Sequence, residues 1–169
     1  MKSLSRIWNK LLLAAIPLTA VLLLTVPGHG VCLPTEEFGD PWYTDEDIAI
    51  IANVVLHECG YCGDRQQELT AACLVNRLFS PDFKENTIRE LVCAPKQYLP
   101  SYCENLPDPN DPDENVQRAF RAALRAARRR VDCPANVVYQ ANFPQGSGIY
   151  EVIEYRSEWW GSTTWFCYA

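Results

Sequence analysis

Eight cysteines in a chain of 169 residues restrict the possible folds of this protein more than any other feature of its sequence. All of them lie beyond residue 31: Cys32, Cys59, Cys62, Cys73, Cys93, Cys103, Cys133 and Cys167. An even number of cysteines is typical of a disulfide framework when the chain enters an oxidising compartment. Many complete pairings are possible, so the sequence predicts disulfides without predicting which cysteines are joined.

The N-terminal segment has the layout of a secretory signal. Three basic residues and no acidic residue occupy positions 1–10, and the stretch Leu11–Val26 that follows carries no charge. This apolar run is short for a membrane-spanning helix, although an uncleaved anchor is the alternative interpretation. We expect residues 1–30 to be a signal peptide with a cleavage point near Gly30, and we expect the protein to be exported.

The remaining chain is acidic and rich in core-forming residues. Hydrophobic residues make up 48% of the sequence and charged residues 21%, which indicates a globular domain. Removal of residues 1–30, with their three basic groups, lowers the formal net charge from −6 to −9. Nucleic-acid binding needs clustered positive charge, so we expect no nucleic-acid partner. We expect a linker at 31–42 and one domain, a monomer, at 43–169.

Hydrophobic periodicity predicts a mainly α-helical α+β domain. Thr44 and Asp47 resemble a capping box ahead of a buried helix. The predicted helices are 45–59, 65–79 (capped by Asp64), 87–92 and 114–130, the last with alanines facing inward and arginines facing outward. Strand-like composition at 137–139, 150–155 and 165–168 predicts a small aromatic C-terminal β-hairpin or sheet.

A loop rich in Pro, Asp and Asn is predicted between the third and fourth helices, over residues 99–114. Its carboxylates Asp108, Asp111 and Asp113 are candidate calcium ligands. Prolines interrupt their spacing, so a solvated loop is the favoured interpretation.

Glu58 is the strongest candidate for a catalytic residue. On a helical wheel it falls in an apolar sector between Ile51 and Val54, one residue from the end of the predicted helix. Burial and the negative end of a helix both favour the protonated form of a carboxyl group. A protonated acid can donate to the departing oxygen in glycosidic cleavage. The alternative is a solvated side chain at a frayed helix end.

Other motifs favour structural roles. Asn76 is expected on an inward helix face, where its amide must find hydrogen-bond partners. Cys59 and Cys62 form a CxxC motif, but it follows a helix and is not at a helix N-terminus, so a redox dithiol is disfavoured. A zinc site using His57 with these two cysteines lacks a second CxxC. We therefore expect no metal and no cofactor.

Several stretches together resemble the SleB-type cell-wall hydrolases, the family of the spore-cortex-lytic enzymes. They are Glu58–Cys62, Ala71–Arg77, Ser80–Phe83, Thr87–Ile88, Val92, Gln97–Tyr98, Tyr139, Asn142 and Phe166. The resemblance covers about 45 to 168. It implies a lysozyme-like fold and a peptidoglycan lytic transglycosylase, which cleaves glycan strands at the cell wall with one catalytic glutamate.

By this resemblance Glu58 is the catalytic acid and base. Gln97, Tyr98, Tyr139 and Asn142 would line the groove for the glycan strand, while Asn76 and Arg77 would support the site. One departure from the family pattern is Cys62, which stands where the family has a second glutamate. Two alternative functions remain open. One is a non-catalytic wall-binding module, and the other is an exported thiol–disulfide protein using Cys59 and Cys62.

Overall fold

The computed structural model describes residues 43–158 and 160–169. The predicted signal peptide at 1–30 and linker at 31–42 lie outside these residues. The helices are α1 (Asp45–Cys59), α2 (Asp64–Arg77), α3 (Ile88–Cys93) and α4 (Glu114–Ala127), with a short 3-10 helix at Pro100–Cys103. The strands are β1 (Val137–Ala141), β2 (Gly148–Arg156) and β3 (Gly161–Tyr168). The prediction of a mainly helical α+β fold with a small C-terminal sheet is confirmed.

Side-chain caps determine where three of the helices begin. The predicted capping box of α1 is confirmed, because the Asp47 amide donates to Thr44 Oγ1 over 3.1 Å and the Thr44 amide donates to the Asp47 carboxylate over 2.9 Å. Thr87 caps α3 and Asp113 caps α4 in the same way, each accepting from backbone amides of the first turn.

Two local predictions were wrong. Asp64 is the first residue of α2 and not its cap, since Gly63 occupies the cap position without a side-chain hydrogen bond. The helix also ends at Arg77, before the predicted boundary at 79. The predicted loop at 99–114 contains the 3-10 helix, which begins with Pro100 at a position where its missing amide hydrogen costs nothing.

The main core lies between α1, α2 and α4. Helix α4 turns a row of buried alanines toward the other two helices, which allows close backbone approach. The predicted outward position of the α4 arginines holds for Arg125, which is exposed and pairs with Glu68 over 2.7 Å, whereas Arg118 is half-buried and pairs with Asp64 over 2.8 Å. Both partners belong to α2, so these arginines join the two helices.

The sheet is antiparallel with strand order β1-β3-β2. A second apolar cluster joins it to α2, through Leu69 and Cys73 on the helix and Val137 and Phe166 on the strands. Arg65 adds a polar link, because its Nη2 lies 2.6 Å from the Glu151 carboxylate on β2. The sheet is therefore attached to the side of α2 that faces away from the main helical core.

No helix within residues 43–158 and 160–169 combines the length and the apolar character needed to cross a membrane.

Candidate functional site

Glu58 lies in the last turn of α1 and its side chain is exposed. The predicted burial of this residue is therefore wrong. Helix α1 is buried around its whole circumference from Ile50 to Val55, so the angular sector of a residue says little about its exposure. At its C-terminal end the helix emerges from the core, and His57 and Glu58 reach solvent there. A glutamate here is open to a ligand as well as to water.

Tyr102 holds the Glu58 carboxylate from the side. Its hydroxyl donates to Glu58 Oε1 over 3.2 Å, and its ring stacks on the His57 ring with 4.5 Å between centroids and 6° between planes. Burial, followed by the nearby negative charge of Glu58, raises the pKa of Tyr102. The buried amide of Asn53 donates to the Tyr102 carbonyl over 2.9 Å and so fixes the 3-10 helix against α1.

Arg77 connects α2 with two other parts of the molecule. This buried side chain donates from Nε to the Val138 carbonyl of β1 over 2.7 Å and from Nη1 to Gln97 Oε1 over 3.0 Å. Its guanidinium lies 5.1 Å from the ring centroid of Tyr98 and 5.4 Å from that of Phe83. Arg77 therefore positions Gln97 and both aromatic rings, which is consistent with a supporting role.

Tyr98 packs against Arg77. Its ring is half-buried against the helical core, and its hydroxyl is fully buried with no hydrogen-bond partner in the described residues. Burial raises the pKa of Tyr98 to about 12, and the negative charge of Glu58 acts in the same direction. The hydroxyl of Tyr98 is directed inward, so any contact with a ligand would use the exposed part of its ring.

Tyr139 on β1 adds a third ring to the aromatic side chains of Tyr98 and Phe83. Its ring centroid lies 6.2 Å from that of Phe83, and its hydroxyl donates to the Asp82 carboxylate over 3.3 Å. Asn142 is exposed just beyond the end of β1. Among the described residues, contacts link Tyr139 through Phe83 and Arg77 to Tyr98, and these contacts do not include Asn142. Glu58 has a separate contact, with Tyr102.

Asn76 ties the end of α2 to the start of the sheet. Its amide nitrogen donates to the carbonyls of Pro134 and Val137, both over 3.0 Å, and its oxygen accepts from Arg129 Nη1 over 2.5 Å. All the hydrogen-bonding groups of this buried amide therefore serve the junction between helix and strand, as a structural role requires.

Sequence reasoning did not find Tyr102 or Phe83 as residues of the site. Tyr102 lies in a segment that reads as an exposed loop, and its partner Glu58 is 44 positions away in the chain. Phe83 was noted only as part of a turn motif. The one available signal was Pro100, which can begin a short helix and so place the next residues.

The thiols of the CxxC motif have the wrong character for redox catalysis. Cys59 is buried and its thiol donates to Thr70 Oγ1 over 3.4 Å. Burial raises the pKa of Cys59 to about 12 and also raises the pKa of Cys62. A reactive dithiol needs a stabilised thiolate, and therefore a thiol whose pKa is lowered and not raised. All seven described cysteines are free thiols in this structure.

The candidate calcium ligands have backbone partners. Asp108 accepts from the Asn110 amide over 2.8 Å, Asp111 accepts from the Asp113 amide over 2.9 Å, and Asp113 caps α4. Within the part of the chain that the structure describes, no group of His, Cys, Asp and Glu side chains is arranged to hold a metal ion.

Glu58 is exposed and does not line any of four cavities found in the described part of the chain. Four cavities of about 510, 260, 230 and 180 Å³ are lined by other residues, the largest of them by residues of the β2–β3 hairpin such as Tyr155 and Trp160. An exposed carboxylate outside these cavities suits an extended polymer better than a small molecule that must be enclosed.

Comparison of the chain with protein-family models, with curated proteins and with solved structures gives no significant match.

Proposed function

We propose that this protein is an exported enzyme that cleaves the glycan strands of peptidoglycan, acting as a lytic transglycosylase with Glu58 as its single catalytic group and with a lysozyme-like fold. The observation that carries the proposal is the placement of Glu58. An exposed carboxylate is held by Tyr102 at the end of a buried helix. The segment that carries Tyr102 also carries Tyr98, which lies with Phe83 in a group of aromatic side chains around Arg77.

One carboxyl group can perform both proton transfers of this reaction. Glu58 first donates its proton to the oxygen that bridges N-acetylmuramic acid and N-acetylglucosamine, so that the bond from this oxygen to C1 breaks. It then accepts the proton of the muramic 6-hydroxyl as that oxygen bonds to C1, which gives a 1,6-anhydro end. Ordinary glycosidases need a second carboxylate because water or an enzyme group attacks C1. Here the substrate supplies the attacking oxygen.

The proposed binding surface consists of Glu58, Gln97 and the aromatic side chains of Tyr98, Phe83 and Tyr139. Aromatic faces pack on the apolar faces of sugar rings, and the Gln97 amide offers both a donor and an acceptor to ring substituents. Asn142 would extend this surface beyond β1. Arg77 supports it from beneath, since it holds Gln97 and lies against Tyr98 and Phe83.

The alternative functions differ in what supports them. A wall-binding module would keep the same surface without catalysis, and Cys62 in place of the family's second glutamate is the feature that favours it. The thiol–disulfide alternative needs a reactive dithiol, whereas burial raises the pKa of both Cys59 and Cys62. The wall-binding module is therefore the alternative to be tested directly against catalysis.

Loss of turbidity of purified peptidoglycan separates catalysis from binding. The exported protein and its Glu58→Gln variant are incubated with insoluble wall, and each is also tested for sedimentation with the wall. Glu104→Gln is the matched control, because Glu104 is an exposed glutamate that lies only two residues beyond Tyr102 in the chain. We expect wild type and Glu104→Gln to solubilise wall, and Glu58→Gln to bind without solubilising. If all three proteins bind the wall and none solubilises it, the enzymatic proposal is refuted and the wall-binding module is supported.

A further inference from the structure

Two cysteines meet beside the candidate site. Cys93 is the last residue of α3 and is exposed, and Cys103 is the last residue of the 3-10 helix and is buried. Their Sγ atoms lie 3.5 Å apart, although the residues are ten positions apart in the chain. The two sulfur atoms are in contact, and they would have to approach by about 1.5 Å to reach the length of a disulfide bond.

We propose that Cys93 and Cys103 form a disulfide bond in the exported protein, and that this bond closes residues 93–103 into a loop that forms one wall of the candidate site. The loop carries Gln97 and Tyr98, and it ends next to Tyr102. Formation of the bond rests on export into an oxidising compartment but not on catalysis; its effect on catalysis rests on the proposed function.

The loop has a shape that a cross-link would preserve. Lys96 has a backbone φ of 68°, a left-handed conformation that is unfavourable for a residue with a side chain. The conformation turns the chain just before Gln97 and Tyr98, which reach Arg77 on α2. At its other end the loop places the Tyr102 hydroxyl on Glu58. Joining the two ends limits how far either contact can open.

The bond requires a disulfide-bearing oxidant, either a thiol oxidoreductase or a small-molecule disulfide. The Cys93 thiolate attacks one sulfur of the oxidant and displaces the other as a thiolate, which gives a mixed disulfide. The Cys103 thiolate then attacks Cys93 Sγ and releases the second thiolate. The protein loses two protons and two electrons, and the oxidant becomes two thiols. Cys93 is the better first nucleophile, because it is exposed whereas burial raises the pKa of Cys103 to about 11.

Peptide mapping tests the bond directly. The full chain is purified without reductant, its free thiols are alkylated, and it is digested with trypsin. Cleavage after Arg89, Lys96 and Arg118 gives the peptides 90–96 and 97–118, each with a single cysteine. We expect these two peptides to be joined, and to separate when the digest is reduced. Alkylated Cys93 and Cys103 in separate peptides, or either one joined to a different cysteine, would overturn the proposal.

A variant measures what the bond does. Cys93→Ser removes the bond at an exposed position, so a folded protein is expected, with Tm about 10 °C below that of the oxidised wild type. Wall solubilisation by this variant should fall at least about threefold at a temperature where it remains folded. Equal Tm values despite joined peptides would show that the bond forms but does not brace the loop, which would overturn its proposed structural role. Joined peptides without wall solubilisation by any form would leave the disulfide established and refute the proposed function instead.

Discussion

Replacement of Arg77 by lysine probes how the candidate site is supported. The guanidinium of this buried residue donates to the Val138 carbonyl over 2.7 Å and to Gln97 Oε1 over 3.0 Å, while lying against the rings of Tyr98 and Phe83. Lysine keeps the positive charge but has a single nitrogen, which cannot reach both acceptors in the directions that the guanidinium uses. One of the two hydrogen bonds is therefore lost.

The expected cost follows from that loss. A hydrogen bond from a charged donor contributes about 1.5–3 kcal/mol. Poorer packing of an ammonium group between two rings adds to this, so the free energy of unfolding should fall by about 2–3 kcal/mol. For a domain of this size, such a loss corresponds to a decrease in Tm of about 10 °C.

Chemical denaturation of wild type and Arg77→Lys measures the change, and Arg121→Lys is the control. Arg121 is an exposed arginine of α4, where the same substitution should alter stability by less than about 0.5 kcal/mol. The release of Gln97 should also reduce the rate of wall solubilisation at a temperature where the variant is folded. Equal stability of the two variants would refute the view that Arg77 holds the strand and the loop together.

Three further predictions concern the carboxylate, the sheet and the charge of the protein. Tyr102→Phe keeps the stack on His57 but removes the hydroxyl that touches Glu58, so solubilisation should slow about fivefold with unchanged Tm; an unchanged rate would contradict this. Gly146→Ala should cost about 2 kcal/mol or more, since a Cβ there would lie 1.9 Å from the Tyr168 carbonyl oxygen at a φ of +64°. In the same denaturation assay Gly148→Ala, whose added Cβ would meet only the Tyr168 ring at 3.7 Å, should change stability by less than about 1 kcal/mol. Because the chain has a formal net charge of −6 and wall polymers are negative too, solubilisation should speed up from low to moderate salt, and a maximum at the lowest salt would contradict this.

The helices could be predicted where their signals are local. The bounds of α1 follow from the Thr44–Asp47 capping box and from apolar periodicity, and the start of α3 follows from Thr87. The end of α2 could not be placed in this way, because Leu78 and Phe79 continue the helical pattern although the helix stops at Arg77. There the chain tightens into i→i+3 turns, because the Phe79 amide donates to the Asn76 carbonyl over 3.0 Å and the Ser80 amide to the Arg77 carbonyl over 3.2 Å.

The candidate site was harder to predict, because it depends on contacts between distant segments. The wheel position of Glu58 suggested burial, yet exposure depends on how far neighbouring elements extend along α1. The contact with Tyr102 requires the fold of the whole segment between α3 and α4. Cysteine spacing alone gave no pairing, and only the packing of α3 against the 3-10 helix brings Cys93 to Cys103.

Mass analysis of the fragments released from peptidoglycan tests the central claim most directly. Wild type should release 1,6-anhydro muropeptides, which are lighter by one water molecule than the corresponding reducing-end products, and Glu58→Gln should release neither. Reducing-end products that depend on Glu58 would keep the catalytic residue but make the reaction a hydrolysis. Fragments released equally by wild type and Glu58→Gln would contradict the assignment of Glu58 as the catalytic group.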